Sequence, residues 1–357
     1  MKQPPIFLLE EPHYHRVRPG AVSRFRGVAL ATHGREIEEL TVARRGEAIL
    51  RVSVDRPSPE LRPLARLPRS ANCRFEFPLV VEGSESYEIR AEIPGEGPIP
   101  LFSFDAPLVE RAAARLESLA RDVSALPTPP PDLVAATQGG RNVEAYRDSM
   151  VSGLLTMEDL LRSAGASPPL RSILDFGCGT GRLLAGWHCD DPSRRLVGVD
   201  VNEDLIRWNR ENFSGLAAWQ VAGARPPLPI PDGRFDFIQI VSVFTHLPLE
   251  RQTAWLAEIR RLLAPGGVVL VTLHGDLYGQ LVLDPASRDE FERAGYVEKA
   301  SGTEGSNTFA TFHSPAWARE IFRSFEVLAH FPRGNPPGRV PSTFPIASLQ
   351  DVYVLRG

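Results

Sequence analysis

The segment Arg171 to Leu184, RSILDFGCGTGRLL, holds the densest set of residues able to do chemistry in this chain. An apolar run, Ile173-Leu174, leads into Asp175 and then Gly177, Gly179 and Gly181, and a helical pattern follows. Glycines at this spacing let the backbone turn tightly and approach a ligand at a helix N-terminus, where free N–H groups attract electron-rich atoms. Asp175, at the end of the strand, is an acceptor for a bound ammonium or an ordered water. The next apolar run, Arg195 to Val199, ends on Asp200, whose two oxygens suit a ribose diol. The loop reads GxGxG. A dinucleotide loop requires Gly or Ala three residues past its second glycine, and here that residue is Arg182. No Gly-Lys-Ser/Thr follows, so the segment is not a P-loop either.

Elements of two kinds must position these residues. From about residue 136 onward, apolar runs alternate with helical patterns, the signature of a parallel sheet with crossover helices. A helix around Trp255, Leu256, Ile259, Leu262 and Leu263 carries an apolar stripe, and Pro265-Gly266-Gly267 is expected to stop it before a strand at Val268 to Leu273. Upstream the period is two. Leu50, Val52 and Val54 alternate with Arg51 and Ser53, Cys73, Phe75 and Phe77 with Arg74 and Glu76, and Tyr87, Ile89, Ala91 and Ile93 with Glu88, Arg90 and Glu92. Such strands, separated by turn residues such as Gly46, Pro57, Gly83 and Gly95, predict an all-β, immunoglobulin-like sandwich over 1–106. Leu108, Ala112, Leu116 and Leu119 recur at helical spacing, and PTPPP at 127–131 reads as a stiff linker. Residues 107–135 are therefore expected to join the sandwich to a domain at 136–357.

Four motifs in order, DFGCGTG, VGVD, FDFIQIVSVFTHL and LLAPGGVVLVTLHG, resemble those of the class I S-adenosylmethionine-dependent methyltransferases over about residues 140–357. A narrower likeness is to bacterial methyltransferases found with glycosyltransferases and polysaccharide loci, carried by Pro226 to Pro229, Ser242 to Leu247, Trp255 to Arg261 and Gln350 to Val354. Many of those also carry an upstream β-sandwich. The resemblance implies a Rossmann-like, seven-stranded, mostly parallel sheet whose last strand is antiparallel. Phe325 to Phe331 and Leu349 to Leu355 suit the closing pair. It implies S-adenosylmethionine as cofactor, held by Asp175, Phe176, Gly177, Cys178, Gly179 and Gly181 at the methionine and ribose end. Asp200 is then expected at the ribose, Val201 and Asn202 near the adenine, with Gly223, Ala224 and Ser242 lining the site and Tyr146 closing over the methionine. Many relatives have an acid after the third strand to meet the adenine amine; this chain has Gly223-Ala224-Arg225 instead.

Methyl transfer from a sulfonium is an in-line displacement, so much of its catalysis is positioning. A hydroxyl acceptor also benefits from a base, whereas a carboxylate does not. His246 follows the fourth strand and His274 the fifth, and either suits that role; either also suits a loop-fixing role with its ring bonded to backbone. His313, just before a Ser314-Pro315 helix start, reads as a capping-region residue. Tyr278 and Tyr296 lie in an insertion after the fifth strand, the place for a substrate lid. Asn335-Pro336-Pro337 matches an amino-methylating motif in letters but stands in the wrong place. His13, His15 and His33 lack ligand spacing, and no metal site is expected. The acceptor implied by the resemblance is a hydroxyl or carboxyl of a sugar, glycan or related small molecule, with glycosyltransferases as partners. The alternatives are a cofactor-binding but non-catalytic glycan-binding or assembly protein, and an enzyme acting on a small metabolite or lipid.

Composition bounds these readings. The 357 residues are 43% hydrophobic and 24% charged, enough for two compact domains. A net charge of −4 leaves no global basic field, which argues against a nucleic-acid partner. Lys occurs only at Lys2 and Lys299, so nearly every cation is Arg. Cys73, Cys178 and Cys189 form no CxxC pair, as fits a reducing compartment. No apolar run approaches the roughly 18 residues of a membrane span, and Glu10 and Glu11 interrupt the apolar start. The expectation is a cytoplasmic enzyme.

Overall fold

The computed structural model describes residues 5–11, 17, 19–31, 35–58, 72–83, 85–105, 115, 117–138, 141–300, 309–334 and 350–357. His13, His15, His33, Leu108, Ala112, Leu116 and the Asn335-Pro336-Pro337 stretch lie outside them. The described residues up to Ser118 belong to one compact unit and those from Leu119 to a second.

The first unit is all β. Strands β1 (Ile6–Glu11), β2 (Val22–Leu30), β3 (Glu39–Arg44), β4 (Glu47–Ser53), β5 (Arg74–Val80), β6 (Ser86–Glu92) and β7 (Ile99–Asp105) form two antiparallel sheets, ordered β1-β2-β5 and β4-β3-β6-β7. The period of two becomes burial: Phe75, Phe77 and Leu79 of β5 face inward, as do Tyr87, Ile89 and Ala91 of β6, while the residues between them do not. Aromatic rings carry this core. Phe7 stacks on Phe75 at 5.5 Å between centroids and lies 6.1 Å from Phe102, joining one sheet to the other, and Phe25 stacks on Phe77 at 5.2 Å.

In the second unit, the helical residues 119–124 (α1) and helix α2 (Pro131–Gln138) come first. Pro131 opens α2 where the sequence reading has linker as far as 135. Its missing N–H costs nothing at a first helical position, and the Pro130 carbonyl accepts from the N–H groups of Leu133 and Val134. The 21-residue α3 (Val143–Ser163) is capped by Asn142, whose side chain accepts from Glu144 and Ala145 N–H. Then β8 (Ser172–Phe176), α4 (Arg182–Asp190), β9 (Arg195–Asp200), α5 (Glu203–Asn212), β10 (Ala218–Val221), β11 (Phe235–Ile240), α6 (Leu249–Leu262) and β12 (Leu263–Leu273) alternate. An excursion follows: α7 (Asp276–Val282), α8 (Pro285–Ala294) and the hairpin β13 (Tyr296–Ala300) with β14 (Phe309–His313). The chain then closes with α9 (Pro315–Ile321), β15 (Glu326–Phe331) and β16 (Asp351–Arg356).

The seven-stranded sheet runs β10-β9-β8-β11-β12-β16-β15, with β16 antiparallel to both of its neighbours. This is the Rossmann-like, mostly parallel sheet that the resemblance implies, and the C-terminal ends of β8, β9, β11 and β12 share one edge. One local detail differs from the sequence reading. α6 ends at Leu262, before Pro265, and Leu263 already pairs with Phe235 while Val268 pairs with Phe237. Pro265-Gly266-Gly267 is therefore a bulge inside β12 rather than the helix stop, since Leu263 finds extended partners before proline is reached.

Candidate active site

The glycine loop lies across the ends of β8 and β9. Gly177 and Cys178 donate backbone N–H groups to the Val199 carbonyl at 2.8 and 3.0 Å, and Gly181 N–H closes a turn on Cys178 O at 2.9 Å. All three loop glycines have positive φ, and at each of them packing adds a second demand, a Cβ on Gly179 meeting Thr137 at 2.7 Å. A Cβ on Gly177 would come within 2.2 Å of Val243, and one on Gly181 within 2.5 Å of the Trp219 ring. Trp219 is wedged beneath the loop, its Nε1–H held by Phe213 O at 2.9 Å. Behind the loop, Asn209 donates to Gly179 O at 2.8 Å, Thr137 of α2 accepts from Thr180 N–H at 3.2 Å, and the Tyr146 hydroxyl meets Thr180 Oγ1 at 2.8 Å.

The structure sorts the residues expected at the cofactor into two groups. Asp175, Gly177, Gly179, Gly181, Asp200, Val201, Asn202, Gly223, Ala224 and Ser242 all sit at or just past the ends of β8, β9, β10 and β11. Phe176 and Cys178 turn their side chains inward, Phe176 edge-on to Trp255 at 4.7 Å and the Cys178 thiol buried under the loop, so what they offer a ligand is backbone. Burial, with Asp175 and Asp200 nearby, pushes the Cys178 thiol up, away from thiolate chemistry. Tyr146 is fully buried. It holds the loop from behind, whereas the sequence reading has it closing over the methionine.

Asp200 accepts from Gly179 N–H through Oδ2 at 2.8 Å and from Asn202 N–H through Oδ1 at 2.9 Å. Each oxygen keeps a lone pair for a diol. Next to it Val201 is 56% exposed, an apolar surface on the open edge beside exposed Gly223 and Ala224. Asn202 is committed to α5, which it caps by accepting from Asp204 and Leu205 N–H. Asp175 is 2% exposed, and burial raises its carboxyl to about 7 against the opposing pull of the Gln239 amide and the Arg182 charge. Ser242 has φ +58, rare for a residue with a side chain. It is pinned by its N–H on Thr272 Oγ1 at 2.8 Å and by Gln350, which donates to its hydroxyl at 2.9 Å. Two carboxylates, an exposed valine and a loop of close backbone fit a ligand with a cationic amino-acid end, a ribose and a flat base.

Beyond β11 and β12 the histidines separate. His246, half-buried, bonds Phe309 O through Nδ1 at 2.7 Å. A carbonyl only accepts, so Nδ1 carries a proton, and in the neutral ring Nε2 is the nitrogen with the lone pair. His274 is 4% exposed, stacked on Tyr278 at 4.0 Å and perpendicular to His246 at 6.1 Å. Burial pushes its pKa down to about 3, so it is neutral. His313 is interior rather than a cap: Nε2–H reaches Gln252 Oε1 at 2.9 Å, and Ser314 caps α9. Tyr296 stacks on Trp317 at 5.2 Å and donates to Glu298 at 2.5 Å. The sequence reading missed a further pair on this edge. His330 donates to the buried Asp351 carboxylate at 2.8 Å while stacked on Tyr353. Nothing in their spacing signalled it. Among the described residues no helix is long and apolar enough to cross a membrane, and no three His, Cys, Asp or Glu residues gather as a metal site.

Residues 173–267, from β8 into β12, match the family model described as a methyltransferase domain. The chain is 30% identical over 196 residues to the malonyl-[acyl-carrier protein] O-methyltransferase of Geobacter sulfurreducens, covering 54% of this chain and 69% of that one. It is 29% identical over 157 residues to a probable S-adenosylmethionine-dependent methyltransferase of Mycolicibacterium smegmatis, covering 42% of this chain and 58% of that one. Among solved structures, the Burkholderia thailandensis 1,6-didemethyltoxoflavin-N1-methyltransferase with bound S-adenosylhomocysteine matches at a TM-score of 0.41 and 17% identity, over 75% of this chain and 95% of that one. The strand order, the loop that fits the ligand and the sequence likeness agree, and the chain belongs to the class I S-adenosylmethionine-dependent methyltransferases, an enzyme family with S-adenosylmethionine as cofactor.

Proposed function

We propose that this enzyme methylates a hydroxyl oxygen, on a sugar or glycan intermediate, with His246 as the general base. The observation that carries the reading is the bond from His246 Nδ1–H to the Phe309 carbonyl, which leaves Nε2 as an acceptor beside the end of β11. S-adenosylmethionine supplies a methyl group already activated on a sulfonium. The protein's share is to align the acceptor oxygen and take its proton. His246 suits this better than His274, which is sealed against Tyr278 and forms a wall behind it. The glycan part of the proposal is supported by the narrower sequence likeness and by the N-terminal unit. Its sheets of three and four antiparallel strands, joined through Phe7 and Phe102, support an immunoglobulin-like sandwich. The reading includes glycosyltransferases as partners and the cytoplasm as location.

A carboxylate acceptor is the second reading, favoured by the likeness to an enzyme named for O-methylation of a malonyl group. A carboxylate needs no base, so one variant separates the two. With labelled S-adenosylmethionine and a panel of nucleotide sugars, oligosaccharides and carboxylic acids, His246→Ala should lower turnover of a hydroxyl acceptor by about 10²-fold or more with cofactor affinity unchanged. Near-normal turnover on a hydroxyl would return His246 to a structural duty. Turnover confined to acids would replace the first reading with the second.

A further inference from the structure

Gln252, in the first turn of α6, is fully buried and bonds both to the turn that carries His246 and to β14. Its amide nitrogen lies 3.0 Å from Phe244 O, 2.7 Å from Leu247 O and 3.2 Å from Thr311 Oγ1. Carbonyls only accept, so two of these partners fix which end of the amide is nitrogen. The other end, Oε1, accepts from His313 Nε2–H at 2.9 Å. Thr311 donates its own proton to Phe244 O at 2.9 Å. One buried amide thus holds two stretches of chain together: Phe244 and Leu247 flank His246, while Thr311 and His313 belong to β14, about 60 residues downstream.

The pattern of β14 connects this amide to the imidazole. Phe309, Thr311 and His313 alternate along the strand, so their side chains share one face and their backbone groups one edge. On that edge His313 N–H donates to the His274 carbonyl at 2.8 Å, and Phe309 O accepts from His246 Nδ1–H at 2.7 Å. Thr311, bonded to Gln252, stands midway between them. We propose that Gln252, acting through Thr311, is a positioning residue that fixes His246 as its Nδ1–H tautomer, by holding the Phe244–His246 turn and the Phe309 carbonyl in one register. The other tautomer, Nε2–H, which a free neutral imidazole favours, places a donor where proton abstraction needs an acceptor. The consequence for turnover rests on His246 being the general base, whereas the tautomer itself does not.

Nitrogen-15 NMR of the full chain labelled at histidine reads the tautomer at about pH 8.5, above the ordinary histidine range, with His246→Ala identifying the signal. Wild type should show Nδ1–H at His246. Gln252→Met, similar in size but unable to make these bonds, should move His246 toward Nε2–H. Thr311→Val, which removes a single hydroxyl at nearly constant shape, should do the same, and Thr311→Ser, which keeps the hydroxyl, should resemble wild type. On a hydroxyl acceptor from the panel above, turnover should fall about tenfold in Gln252→Met and Thr311→Val, with S-adenosylmethionine affinity level throughout. Thr311→Val decides the matter even where Gln252→Met fails to fold. A purely structural role would lower the melting temperature and leave the tautomer unchanged. That result, an Nε2–H tautomer in wild type, or a Thr311→Ser signal like that of Thr311→Val would overturn the proposal. A shifted tautomer with undiminished turnover would uphold the positioning role and overturn the general-base reading instead.

Discussion

Asp175 offers a prediction that links stability to cofactor binding through one proton. Its carboxyl is buried and raised from 3.8 to about 7, with burial the leading cause. Between these values the folded protein holds a proton that the unfolded chain has released. The stabilisation is fully present below about pH 4 and is lost as pH rises through about 7. A shift of about 3 units at about 1.4 kcal/mol each sets a ceiling near 4 kcal/mol on the loss for the ligand-free protein. Asp200 is also raised by burial and adds to the same slope, so the comparison must isolate Asp175. Asp175→Asn is neutral at every pH and should remove most of the difference between urea unfolding free energies at about pH 5 and about pH 8.5. If Asp175 accepts the α-ammonium of the cofactor, binding must expel that proton. Below about pH 7, affinity should then weaken by up to tenfold per pH unit, and calorimetry in buffers of different ionisation enthalpy should register close to one proton released. Equal pH slopes in wild type and Asp175→Asn, or no proton release near pH 6, would refute the reasoning.

Two further substitutions probe the loop from other sides. Asp200→Ala removes the acceptor of both Gly179 and Asn202 N–H along with the proposed ribose contact, and should weaken S-adenosylhomocysteine binding about tenfold or more in calorimetry. An unchanged affinity in a folded variant would remove Asp200 from the site. Gly198→Val would drive a Cβ to 2.5 Å from the Trp219 ring and 3.0 Å from Cys178 Sγ, and overpacking of this kind should cost about 1–3 kcal/mol in thermal or urea unfolding. A midpoint equal to wild type would show that Trp219 is not wedged against the loop.

Much of the site is readable from local letters because its chemistry is local. The loop glycines, Asp175 and Asp200 take their places from strand ends and turns a few residues long, and the parallel sheet follows from alternating apolar runs. The helix at Pro131–Gln138 hides behind prolines that, read alone, spell a linker. What makes it part of the site is Thr137 meeting Thr180, 43 residues downstream. Arg182 is legible only as a residue unfit for a dinucleotide loop, since its burial beside Tyr146 and Asp175 depends on what α3 and β8 bring around it.

The alternation of strands and helices and the shape of the glycine loop were determined by the sequence itself, through hydrophobic periodicity and the steric demands of glycine, and the kind of cofactor was implied by the resemblance of four motifs to a known family. The roles of the histidines were decided only by tertiary structure. His246 acquires a fixed tautomer from a carbonyl 63 residues away, His274 becomes neutral because Tyr278 and Phe312 cover it, and His330 finds Asp351 across an antiparallel pair. Protonation state and accessibility belong to the surroundings of a ring, and those surroundings are assembled by contacts that have no sequence period.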